Sequence, residues 1–115
     1  MKSIIAFFVG LLCCCGRADA QSVRLKEFLH PKPEFKPMDK AFAAGVKEGL
    51  MAYNAFVTKN GRPLFCMPGD LALTATQAEE IMMRWVEKNK ARVTEDMLIA
   101  GLMLWAFEEN FPCNK

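Results

Sequence analysis

Apolar residues along the chain fall into blocks separated by polar or proline-rich stretches. The first runs from Ile4 to Leu12, broken only by Gly10. Lys2 precedes it and Ala18-Asp19-Ala20 follows. A basic start, a short apolar run and an A-x-A site describe a secretory signal peptide over residues 1–20. The run is shorter than the roughly 20 apolar residues that span a bilayer. Cys13, Cys14 and Cys15 raise lipidation as an alternative. Leu11 and Leu12 before Cys13 are not the small residues a lipoprotein signal needs, so cleavage after Ala20 is the expectation.

The second block, Ser22 to His30, places Leu25, Phe28 and Leu29 on one helical face, with Ser22 as its cap. Pro31, Pro33 and Pro37 then predict an extended, polyproline-like connector, closing a segment over 21–37. The main domain is expected over 38–115. Its first helix starts at the cap Asp39 and runs to about Thr58, with Phe42, Val46, Leu50, Tyr53 and Val57 at helical spacing. Beside them Ala41, Gly45 and Gly49 form a stripe of small residues. A glycine inside a helix costs about 1 kcal/mol against alanine, so close approach of a neighbouring helix or ring is expected to offset it.

Asn60-Gly61 ends this helix, and a loop through Pro63, Pro68 and Gly69 follows. Thr74 and Gln77 make a capping box for the next helix, whose apolar face is Ala78, Ile81, Met82, Trp85 and Val86. Lys88 to Arg92 is a basic connector. Thr94 is the expected cap of the last helix, with Glu95 and Asp96 at its positive end. From Met97 to Phe107 every residue is apolar or glycine. Such a helix is either buried all round or shared with a second chain, and Met97, Leu98, Leu102 and Trp105 are the candidate face of a homodimer. The fold class is all-α: a small disulfide-closed bundle of three main helices plus a short N-terminal one.

Cleavage after Ala20 changes the cysteine arithmetic. Of five cysteines only Cys66 and Cys113 remain, and two cysteines in an oxidising compartment read as one disulfide. It closes a 47-residue loop, which on the chain-entropy account contributes about 4 kcal/mol. Removing Lys2, Arg17 and Asp19 from 15 basic and 13 acidic side chains leaves 13 and 12, a formal +1. That balance supplies no electrostatic case for nucleic acid or an anionic membrane.

The chemistry-bearing residues do not assemble into a catalytic constellation. His30 is the sole histidine, both mature cysteines are expected to be oxidised, and no set of three or four metal ligands converges. Glu79-Glu80 and Glu108-Glu109 are neighbours that diverge by about 100° on a helix. Gly45 and Gly49 lie within a helix and form no phosphate loop. Neither a cofactor nor a metal is expected, and the chain reads as a binder rather than an enzyme.

The helix Ala41-Phe42-Ala43-Ala44-Gly45-Val46, then Phe65-Cys66-Met67-Pro68, then Thr74 with Gln77, the helix Ile81 to Val86, and Phe111-Pro112-Cys113 occur in an order that resembles a known family. These are the small periplasmic immunity proteins of the Rap/Tai type, which neutralise peptidoglycan amidase effectors delivered by type VI secretion. The resemblance covers some two-thirds of the chain, and Phe-Cys-x-Pro with the terminal Phe-Pro-Cys is its specific part. Members often carry a further cysteine pair near the first long helix, and this chain has none there. The resemblance implies a periplasmic protein that binds an effector's cleft and occludes it. The loop Asn60 to Pro68 is the candidate inhibitory segment, with Asn60, Gly61, Arg62, Pro63 and Leu64 as contacts and Arg62 as donor to carboxylates or carbonyls. Two other readings stay open: a periplasmic acid-stress chaperone resembling the HdeA type, and a structural envelope module.

Overall fold

The computed structural model describes residues 22–114. The expected signal segment, its cleavage site and Cys13 to Cys15 lie outside the described residues. Four helices follow one another: α1 (Leu25–Leu29), α2 (Lys36–Asn60), α3 (Ala75–Lys88) and α4 (Ile99–Asn110). Strands are absent among the described residues apart from one isolated antiparallel bridge, Arg24 with Leu98. The all-α bundle is thus observed. No helix among the described residues is long and apolar enough to cross a membrane.

The hydrophobic centre of the bundle is α4. Ile99, Leu102, Met103, Ala106 and Phe107 are fully or almost fully buried. Around them pack Leu25 from α1, Ala43 from α2, Phe65 from the α2–α3 loop, and Ala78, Ile81 and Met82 from α3. Much of a helix without a polar side is therefore covered within one chain. Leu102, expected on a face shared between two chains, lies inside the monomer. Met97 is half-buried, while Leu98 and Trp105 are exposed.

The amphipathic α3 forms as its sequence dictates. The Thr74 hydroxyl accepts from the Gln77 N–H at 3.2 Å, and the Gln77 side chain accepts from the Thr74 N–H at 2.9 Å. These two reciprocal bonds satisfy donors that a helix start leaves orphaned. At the other end Asn89 donates its side-chain amide and its backbone N–H to the Trp85 carbonyl.

Three boundaries differ from the sequence expectation, each for a local reason. α2 begins at Lys36 rather than after Asp39, because Pro33 to Phe35 close a turn and Pro37 sits in the first helical turn. A proline is tolerated there, since its missing N–H has no intrahelical acceptor to lose. The connector is therefore a turn and not an extended polyproline run. α1 is capped by Arg24 and not by Ser22, and the Glu27 carboxylate accepts the Arg24 N–H at 2.7 Å. α4 starts at Ile99 and not after Thr94, because residues 97–99 are engaged elsewhere. Leu25 N–H donates to the Met97 carbonyl at 2.8 Å, and Ile99 N–H donates to Val23 at 3.1 Å. Backbone groups spent on the N-terminal segment cannot also open a helix.

The small-residue stripe of α2 also behaves differently. A methyl group placed on Gly45 or Gly49 would meet nothing within 4 Å, and Ala41 is exposed. No helix or ring approaches these glycines, so the expected close contact is absent among the described residues. The core-facing stripe instead runs Ala43, Val46 and Leu50, and its next position four residues on is Asn54. Tyr53, expected on that stripe, is 55% exposed.

Candidate functional site: the clamped loop after α2

Asn54 occupies the inward position near the end of α2 and faces the loop. Its side-chain oxygen accepts from the N–H groups of Leu64 (2.8 Å) and Phe65 (3.2 Å), and its amide donates to the Phe65 carbonyl (2.8 Å). One side chain thus fixes three backbone groups of a segment ten residues away. A neutral hydrogen bond contributes about 0.5–1.5 kcal/mol, and a buried group left without its partner costs more. Sequence reading did not identify Asn54, although the spacing 46–50–54 was visible; a polar residue on an apolar stripe was the available signal.

Phe65 provides the second anchor. It is fully buried and meets the edge of Phe107 with centroids 5.3 Å apart and planes at 73°, and Phe107 in turn meets Phe111 at 6.2 Å. Such edge-to-face pairs add about 0.5–1.5 kcal/mol beyond the area they bury. The third anchor is covalent. Cys66 and Cys113 form the expected disulfide, with Cα atoms 4.9 Å apart. Alongside it the Cys66 N–H donates to the Phe111 carbonyl at 2.8 Å.

These anchors hold residues 64–66, and residues 61–63 join them to the end of α2. Asn60 does not reach outward: its side-chain amide donates back to the Phe56 carbonyl at 2.9 Å. Gly61 has φ 178°, an extended conformation, so the helix ends without a left-handed turn. Pro63 and Leu64 are half-buried, with Leu64 packed on the core. Arg62 is exposed, and no described carboxylate pairs with it. Of the five expected contact residues, Arg62 is the one that offers free donors. On α2, three residues apart, stand Tyr53 and Phe56, exposed by 55% and 63%. An exposed arginine and two exposed aromatic rings are residue types enriched at binding hot spots.

Charge elsewhere is arranged in ion pairs at the surface. Lys26 and Arg24 meet Asp96 at 2.8 and 3.5 Å, and Lys40 meets Glu79 at 3.1 Å. The hydrogen bond from Lys26, with its charge and that of Arg24, holds the Asp96 carboxyl below its ordinary range. Bonds from Lys88 and from the Trp85 indole hold Glu109 low in the same way. His30 stands apart on the rim of a cleft of about 700 Å³ between α1 and the start of α2. No group of three or more potential metal ligands is present among the described residues.

The class defined by these features is a disulfide-closed helical bundle that presents a rigidly held loop. No protein-family model matches the chain, and no curated protein or solved structure matches it.

Proposed function

We propose that this protein is a periplasmic immunity protein that binds a peptidoglycan amidase effector of type VI secretion and blocks its cleft. One observation supports the reading above others. The loop after α2 is fixed at residues 64–66 by Asn54, Phe65 and the disulfide, while Arg62, Tyr53 and Phe56 remain free for a partner. A segment ordered before binding loses little conformational freedom on docking, which favours affinity. Arg62 donates to carboxylates or carbonyls lining the amidase cleft, and the rings cover the surrounding apolar surface. The test is inhibition of an amidase encoded beside this gene. Arg62→Ala and Phe56→Ala each weaken inhibition at least about tenfold if the loop is the contact; full inhibition by the double variant removes the proposal.

A second reading, the acid-stress chaperone, is favoured by the way α1 is held. Its exposed pairs to Asp96 weaken when that carboxyl is protonated, and Leu29, Phe35 and Met38 are already exposed nearby. Suppression of aggregation of unrelated proteins at low pH, with no amidase inhibition, would select this reading.

A further inference from the structure

Away from the loop, a cleft of about 520 Å³ lies where the outer side of α4 meets the end of α3 and the connector that follows. Its floor is apolar: Trp85, Trp105 and Met97 line it. The two indoles lie against each other with centroids 5.9 Å apart and planes tilted by 36°, and Trp105 is 47% exposed. The Trp85 N–H donates to the Glu109 carboxylate at 2.7 Å, and Lys88 bonds the other oxygen of that group. The aromatic floor is thereby fixed before any ligand arrives. A second, smaller cleft shares Trp85 and Glu109 as a common wall, so the pair separates two adjoining hollows.

The rim decides what chemistry fits. Arg92 lies on one part of it, bonded to the Asn89 side chain, and Glu108 and Glu109 lie on another. An anionic ligand would meet two carboxylates, and a cationic one would meet Arg92. A purely apolar ligand would strip water from Glu108, which has no partner among the described residues to replace it. The ligand that satisfies all of these is neutral, flat and apolar on one face, and carries both donors and acceptors along its edge. A pyranose ring has that form. Its axial C–H bonds carry slight positive charge toward the negative face of an indole, while its equatorial hydroxyls reach carboxylates and guanidinium.

We propose that this cleft binds a neutral oligosaccharide, with Trp105 as the stacking platform and Glu108 and Arg92 as hydroxyl partners. The adjoining hollow beyond Glu109 extends the site to more than one sugar unit. This inference does not depend on the loop or on any amidase.

The experiment titrates the intact, oxidised protein with uncharged tetramers of glucose and of N-acetylglucosamine, read by tryptophan emission and calorimetry. At least one tetramer is expected to change the emission saturably. Trp105→Ala then lowers the affinity at least about tenfold, Glu108→Gln lowers it less, and Leu71→Ala, at an exposed position outside the cleft, leaves it unchanged. Trp105→Phe keeps a flat ring and retains measurable binding, which covers the case in which the alanine variant fails to fold. Absence of any change with both tetramers overturns the proposal, as does wild-type affinity in Trp105→Ala. So does a result in which Trp105→Ala converts a dimer to a monomer in sedimentation while no sugar binds, because the surface is then a protein contact.

Discussion

The two ends of the bundle are held by different physics. At the disulfide end, the segment from Leu64 to Cys66 is tied by a buried ring, a three-bond amide clamp and a covalent link. At the other end, α1 has five residues and buries only Leu25. Three backbone bonds from Val23, Leu25 and Lys26 to residues 95–99, with exposed ion pairs to Asp96, complete its attachment. Exposed ion pairs are weak and screened by salt. A surface that must keep its shape while it meets a partner belongs at the first end. A segment that opens locally belongs at the second.

The contrast can be broken most severely at Phe65. Phe65→Ala empties a fully buried aromatic site and is expected to destabilise by about 3–5 kcal/mol, read as a lower urea midpoint with an unchanged slope. Replacing Cys66 and Cys113 together by serine is next, with a loss of about 4 kcal/mol on the loop-entropy account; thermal unfolding with and without reductant measures it. Asn54→Ala leaves backbone groups of Leu64 and Phe65 without partners and is expected to cost about 1–3 kcal/mol. Its distinguishing mark is faster hydrogen exchange at those two amides while α4 stays protected.

Asp96→Asn carries the smallest effect, because the pair it breaks is exposed. The Asp96 carboxyl is held below its ordinary range in the folded chain. Its contribution is therefore fully present above that range and is lost as pH falls through the lowered folded value. Wild-type α1 amides should exchange faster as the solution is acidified below about pH 4, the range in which aspartate ordinarily titrates. Asp96→Asn should show the faster exchange at neutral pH and lose that acid dependence. An unchanged α1 in this variant would mean that the backbone bonds alone hold the helix.

What could be read from the residues was what depends on near neighbours. Thr74 and Gln77 announced α3 because a capping box is complete within four residues. Cys66 and Cys113 announced the closure because no other cysteines lie downstream of Ala20. Interactions between distant segments were not legible. The start of α4 moved to Ile99 because Val23 and Leu25 take the backbone groups of 97–99. The apolar length of α4 suggested a second chain, but the other three helices and Phe65 cover much of it. On α2 the glycines proved to face open space, and the clamp on the loop came from Asn54, a residue whose role depends on where Leu64 and Phe65 lie in space. Arg62 was legible as a candidate, whereas the exposure of Tyr53 was hidden by reading it as a core position.

The central claim is that the loop after α2 is rigid before it meets any partner. Hydrogen exchange at the Leu64, Phe65 and Cys66 amides of the oxidised protein tests it most directly. The account predicts protection comparable to that of the α4 amides. Exchange of these three amides at the rate of an open chain, while α4 remains protected, would contradict it.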